Sequence, residues 1–187
     1  MTAFQLNTED KLTLLEISRN TLNILFGLET EIQLNERTLS TNLQSPCGAF
    51  VSIYCHSKLR GCIGQFNSQH ALYLLVADLT RSAALNDHRF DPITIDELPN
   101  TSIELSILTP MEQFYSLDEL ELGKHGIYIK KGMNSGTYLP QVYEKTNWTK
   151  EEFLGHCSKN KAGIGWNGWK NAELYRYEAI LINDTTL

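Results

Sequence analysis

Two alternating runs, residues 49–55 and 59–66, are separated by only three residues, His56-Ser57-Lys58. A connection that short can join only antiparallel strands, because a parallel pair needs a crossover of a dozen residues or more. The spacing therefore predicts a β-hairpin near the middle of the first half of the chain. Its second strand carries an anomaly. In Leu59-Arg60-Gly61-Cys62-Ile63-Gly64 an arginine, a cysteine and two glycines interrupt what otherwise reads as a buried strand. Glycine weakens a strand interior, since it costs backbone entropy and leaves nothing to pack. A strand that keeps two glycines needs close approach by another backbone or a ligand. Gly61 and Gly64 are accordingly candidate binding positions.

Residues two apart on a strand share a face. Regular alternation puts Arg60, Cys62, Gly64 and Phe66 on one side and Leu59, Gly61, Ile63 and Gln65 on the other. Arg60 and Cys62 then lie about 7 Å apart at Cα. A guanidinium there would stabilise a thiolate, which can act as nucleophile, metal ligand or redox sensor. The competing reading makes Cys62 a small buried apolar side chain, a common fate of free cysteine.

Around the hairpin the pattern is mixed. Residues 8–28 have helical periodicity, with Thr8 as the expected N-cap, Leu12, Leu15, Leu22 and Leu25 as the expected core face, and Gly27 as the stop. Residues 29–46 are polar and irregular. Residues 71–86 form a second helical stretch with Leu72, Leu75, Val76, Leu79 and Ala83 inward. Residues 102–109 read as a strand with Ile103, Leu105 and Ile107 inward and Glu104 and Ser106 on the other face. Residues 126–131 and 137–139 flank a glycine-bounded turn at 132–136. Residues 149–157 form a short helix opened by a Thr149–Glu152 capping box, and residues 173–182 alternate as one closing strand. Trp148, Trp166 and Trp169 with Phe153 and Tyr175 are expected to form an aromatic minicore. Helices interspersed with hairpins predict an α+β fold with a largely antiparallel sheet flanked by helices.

Composition narrows the function. Hydrophobic residues make up 42% of 187 residues, enough for a real core in one domain or two small lobes. The net charge of −6, without a lysine or arginine stripe, argues against nucleic-acid binding. No glycine-rich phosphate loop opens a helix, which argues against a nucleotide site. The N-terminal residues lack a basic and apolar leader pattern, and no apolar run is long enough to span a membrane, so a cytoplasmic protein with free thiols is expected. Cys47, Cys55, Cys62 and Cys157 show no metal-ligand spacing. No cofactor or metal is expected.

Further candidates have two readings each. Glu104 can pair with Arg60 or Arg89, serve as a base, or be an ordinary strand carboxylate. Asp87, Arg89 and Asp91 can form a binding loop or a local ion-pair turn. His88 reads as a solvated loop histidine. Gln141, after Pro140 at a strand break, can present donors and an acceptor to a ligand or close a turn.

Leu59–Gly64 resembles the LRGCIG signature of the AMMECR-type domain family. The likeness continues in order through GAFVSI (48–53), RFDPIT (89–94), ELP (97–99), IELSIL (103–108), GIYIKKG (126–132), LPQV (139–142) and KAG (161–163). The chain departs from the family pattern in lacking a glutamate near Lys145, in a Cys157-to-Asn160 stretch one residue longer than usual, and at two single positions. His88 stands where proline is common, and Asn147 stands where glycine is common before Trp148; asparagine also tolerates left-handed backbone. The resemblance implies one AMMECR-type domain over residues 1–187, built of two intimately packed α+β lobes with the signature near the cleft between them. It also implies similarity to the protein A component of the AmmeMemoRadiSam system, whose genes accompany a Memo-type protein and a radical SAM protein. Three functions stay open. The chain can be an accessory component binding a small-molecule or peptide substrate, or a partner, around Arg60 and Cys62. It can be an enzyme with Cys62 as thiolate nucleophile or hydrogen donor assisted by Arg60. It can be a regulatory protein-interaction domain.

Overall fold

The computed structural model describes residues 4–28, 38–66 and 68–184. The chain divides into two compact units, Met1–Leu108 with Ile180–Leu187, and Thr109–Ala179. Each is built on its own four-stranded antiparallel sheet, so the fold is α+β as the element pattern predicts.

The first unit opens with α1 (Thr8–Leu25). Its N-cap is Asn7 rather than Thr8: Asn7 accepts the Asp10 N–H, and the Asp10 carboxylate accepts the Asn7 N–H. This reciprocal pair satisfies two of the helix's orphan donors. The buried face is Leu14, Leu15, Ile17, Ser18, Thr21 and Leu22, with Leu12 48% exposed. The expected stripe thus starts too early. Gly27 ends the helix in left-handed backbone, φ 69°. The expected irregular stretch at 29–46 lies partly outside the described residues; within it, α2 (Thr41–Gln44) forms one short helical turn.

The central hairpin is β1 (Gly48–Cys55) and β2 (Lys58–Gln65), followed by α3 (Leu72–Leu85) and β3 (Thr101–Leu108). With β8 (Ala179–Asn183) these strands order as β2-β1-β3-β8. The turn is the two residues His56 and Ser57, both at positive φ, the geometry that matches the right-handed twist of a tight hairpin. Helix α3 packs on β1 and β2, and α1 packs on α3 and β3. Ala49, Val51, Ile53, Ile103, Leu105 and Ile107 face these helices and are essentially fully buried. A buried Ser18–Thr80 hydroxyl pair, 2.7 Å apart, links the two helices. The opposite face of the sheet carries Phe50, Ser52, Tyr54, Cys62, Glu104 and Ser106.

The second unit has the sheet order β4-β7-β5-β6, from β4 (Glu112–Gln113), β5 (Gly126–Lys131), β6 (Asn134–Tyr138) and β7 (Glu173–Tyr177). The hairpin turn is shorter than expected, since β6 begins at Asn134. The single strand expected over 173–182 is two strands in two sheets, β7 and β8, separated at Glu178. Continuous alternation in sequence does not register a change of partner. Helix α4 (Gln141–Thr146) ends at Asn147, whose φ of 52° realises the left-handed cap for which the family commonly uses glycine. Helix α5 (Lys150–Asn160) has the expected Thr149–Glu152 capping box. Phe153, Leu154, Cys157, Ile127 and Ile129 form the core of this unit, with Trp148 and Trp169 packed against it. Tyr175 instead sits beside Tyr128 at 6.2 Å, while Trp166, 40% exposed, stands edge-on to His156, which stacks on Trp148. Among the described residues no helix is long and apolar enough to cross a membrane.

Candidate functional site

The signature strand is not regular. Ile53 pairs with Gly61, yet Tyr54 pairs with Leu59, leaving Arg60 as the extra residue of a β-bulge. The bulge breaks the face rule at the position where it was applied. Arg60 donates from Nε to Glu97 Oε1 at 2.6 Å and from Nη2 to Glu97 Oε2 at 3.1 Å. It also donates to the Asp91 carbonyl at 3.2 Å. This bidentate pair, helped by the Thr94 backbone N–H, holds the Glu97 carboxyl down at about 2. The arginine expected to serve Cys62 is therefore committed to Glu97, and its hydrogen bonds go to Glu97 and the Asp91 carbonyl rather than to the Cys62 sulfur.

The glycines answer to neighbours within the same unit. A Cβ on Gly61 would lie 1.9 Å from the Ala83 carbonyl oxygen of α3, and one on Gly64 would lie 2.0 Å from the Phe50 ring. The close approach that the sequence demands is made by a helix backbone and a phenylalanine.

Arg89 and Asp87 act on the main chain of Cys62. Strand β2 lies at a sheet edge, where unpaired backbone groups need a partner. The Cys62 N–H donates to Asp87 Oδ2 at 2.8 Å, and Arg89 Nη2 donates to the Cys62 carbonyl at 2.9 Å. The two side chains are joined by Arg89 Nη2 to Asp87 Oδ2 at 2.6 Å and Arg89 Nε to Asp87 Oδ1 at 2.9 Å. The Arg89 guanidinium holds the buried Asp87 carboxyl well below the usual carboxylate range. The N–H groups of Cys62 and Arg89 assist, and burial opposes. The pair is a clip that stands in for a fifth strand. His88, between them, is exposed.

The thiol of Cys62 belongs to the other face of the sheet. Ser52 pairs with Cys62 on one side and with Glu104 on the other, so the three side chains form a row across three strands. With strands spaced about 4.8 Å apart, Cys62 and Glu104 are about 10 Å apart at Cα. Ser52 Oγ donates to Cys62 Sγ at 3.2 Å. Tyr54 lies on the same face, beside Ser52 and Glu104. Burial first, then the Glu104 carboxylate and Cys62, push its phenol up, while Ser52 pulls it back. All four side chains are half-buried. Cys62 is the one cysteine of the four that is not buried. Burial pushes Cys47 and Cys157 up to about 12. Glu104 makes neither ion pair expected for it, because Arg60 and Arg89 are taken. Ser52 and Tyr54 were not picked out from the sequence. Their signal is the period-two pattern of residues 48–55, which sets both on the face away from the helices.

A family model described as AMMECR1 matches residues 15–182. The chain belongs to the AMMECR1 family. A Methanosarcina mazei protein is 32% identical over 177 residues, covering 90% of this chain and 88% of that relative. Protein MK0488 of Methanopyrus kandleri is 32% identical over 172 residues, covering 86% and 83%. The crystal structure of an uncharacterized protein, PH0010 from Pyrococcus horikoshii, superposes with a TM-score of 0.73 at 28% identity over 90% of this chain and 88% of that one.

In this AMMECR1-family chain the remaining candidate, Gln141, lies in the second unit. It follows Pro140 at the start of α4, and its Oε1 is buried with no hydrogen-bond partner. Among the described residues no group of three or more His, Cys, Asp or Glu side chains is arranged to hold a metal ion.

Proposed function

We propose that the chain is the binding component of a modification pathway. It holds a substrate or partner segment against the polar face of its first sheet, around Cys62, and it acts with Memo-type and radical SAM proteins. The observation that carries this reading is the Cys62–Ser52–Glu104 row. It gathers a thiol, a hydroxyl, a carboxylate and the Tyr54 phenol on a sheet face, where folding alone asks only for solvated polar residues. Membership of the AMMECR1 family supports the choice of partners. The test is co-purification of tagged wild type and Ser52→Phe with candidate Memo-type and radical SAM proteins. Ser52→Phe fills the middle of the row without touching the helix-facing core. Capture by wild type and its loss in the variant are expected; equal recovery would remove the reading.

A second reading, Cys62 as a nucleophile, is favoured by the Ser52 hydrogen bond to its sulfur and by its access. It predicts a mass adduct on Cys62 in protein isolated with its partners, absent from Cys62→Ser.

A further inference from the structure

We infer that the cleft beside this row binds an organic cation carrying several N–H donors, an ammonium or guanidinium such as a lysine or arginine side chain of a peptide, with Glu104 as its anchor. The inference rests on the binding role proposed above and names the chemistry of what is bound.

The cleft has a volume of about 260 Å³ and is lined by Tyr54, Ser57, Ser102, Ile103, Glu104, Asn183 and Asp184. That is below the few hundred Å³ and more that cofactor-sized ligands occupy, and it suits a single side chain. Its walls are rich in oxygen acceptors and contain no lysine, arginine or histidine. The two carboxylates are not equivalent. Asp184 accepts the Ile103 N–H at 3.0 Å and an Arg19 N–H at 2.6 Å. Arg19 is itself bound to Asp184 and to the hydroxyl and carbonyl of Thr101, so its charge is matched where it stands. Glu104 makes no ion pair among the described residues, and the Tyr54 phenol is its polar neighbour. A carboxylate offers roughly four lone-pair sites, so Glu104 retains capacity for more than one donor from a ligand.

The charge balance favours the same sign. The nine acidic and nine basic side chains of residues 109–179 cancel, so the net −6 of the chain resides wholly in the first unit. An anion would meet two carboxylates and no cation beyond the engaged Arg19. An apolar group would leave Glu104 desolvated without compensation. An ammonium or guanidinium turns that cost into charge-assisted hydrogen bonds. Anchored there, the rest of a peptide can run across β1 toward Cys62, about 10 Å away by strand spacing.

The experiment is a titration of isotopically labelled full-length protein, followed by amide shifts. The probes are a capped pentapeptide with one central lysine among glycines, its Nε-acetylated twin, and free putrescine. The lysyl peptide is expected to shift the amides of Ser57, Ser102 and Glu104. Acetylation, or Glu104→Gln, is expected to weaken binding at least about tenfold, the loss of one charge-assisted hydrogen bond. Glu104→Asp, which keeps the charge, is expected to retain binding. Tighter binding of putrescine than of the peptide would support the same site chemistry and assign the cation to a free amine. No shifts with either amine at millimolar concentration, equal binding of the acetylated twin, or unchanged binding in Glu104→Gln would overturn the inference. Such a failure leaves partner capture by wild type, and its loss in Ser52→Phe, intact.

Discussion

Cys62 and Gly61 are adjacent in sequence and do opposite work. Gly61 is filled against: the Ala83 carbonyl oxygen stands where a β-carbon would go. Gly61→Ala must push α3 away from β2, and we expect a loss of about 3 kcal/mol, read as a lower midpoint in urea unfolding. Gly64→Ala meets the Phe50 ring down to its Cγ, so the whole side chain must shift against Phe66, and a loss of similar sign is expected. Cys62 projects to the side that solvent reaches. Brief treatment of native protein with iodoacetamide should modify Cys62 alone, with the buried Cys47, Cys55 and Cys157 reacting only after unfolding; peptide mass spectrometry would show which thiol carries the label. Early labelling of a buried cysteine would contradict the packing described. At this scale the sequence was legible for glycine and misleading for arginine. Two glycines in a strand announced a close approach, and one exists. Face counting put Arg60 beside Cys62, because a bulge leaves no mark in a count of alternate residues. The partner Glu97 lay 37 positions away and only folding brings it near.

At the level of elements, the edge of β2 depends on two carboxylates on the loops that follow α3. Asp87 and Glu97 are both easier to ionise folded than unfolded. Their contribution to stability is therefore complete above the ordinary glutamate value of 4.5 and drains away as the pH falls toward about 2, the folded value for Glu97. His125, which burial makes harder to protonate when folded, adds a shallow decline below about pH 6.5, and thermal melts should fall more steeply below pH 4.5. Asp87→Asn should cost about 2 kcal/mol at neutral pH, since it weakens a buried charge-assisted pair, and should make the acid limb shallower. An acid limb identical to wild type would separate the clip from acid stability. The elements themselves were largely readable: α3, β1, β3, the Thr149 box and the stop at Gly27 all follow from periodicity and caps. Two were not. Asn7 and Thr8 are both good N-caps, and only the Asp10 carboxylate reaching back to Asn7 decides between them. Strands β7 and β8 read as one because alternation reports which face is apolar, not which sheet the strand joins.

On the scale of the whole molecule, the α+β class was legible because short connections force antiparallel pairing. The sequence left one domain or two small lobes open and gave no boundary, since a hydrophobic position does not say which cluster it enters. Leu154 is fully buried in the second core. Leu154→Ala should cost about 3 kcal/mol. Hydrogen exchange should quicken first at β5, β7 and α5, while the amides of β1 and β3 stay protected longest. Loss of protection in β1 and β3 at the same denaturant concentration would mean that the two cores melt as one.

The second unit is an insertion: residues 109–179 interrupt the first unit, which resumes at Ile180. Synthesis is vectorial, so β3 leaves the ribosome long before its neighbour β8 exists. For that interval a strand bearing Ile103, Leu105 and Ile107 has one open flank. A nascent chain halted inside the insertion would therefore expose a hydrophobic strand border to other chains, which makes the middle of the message, rather than its end, the hazardous place for translation to stall.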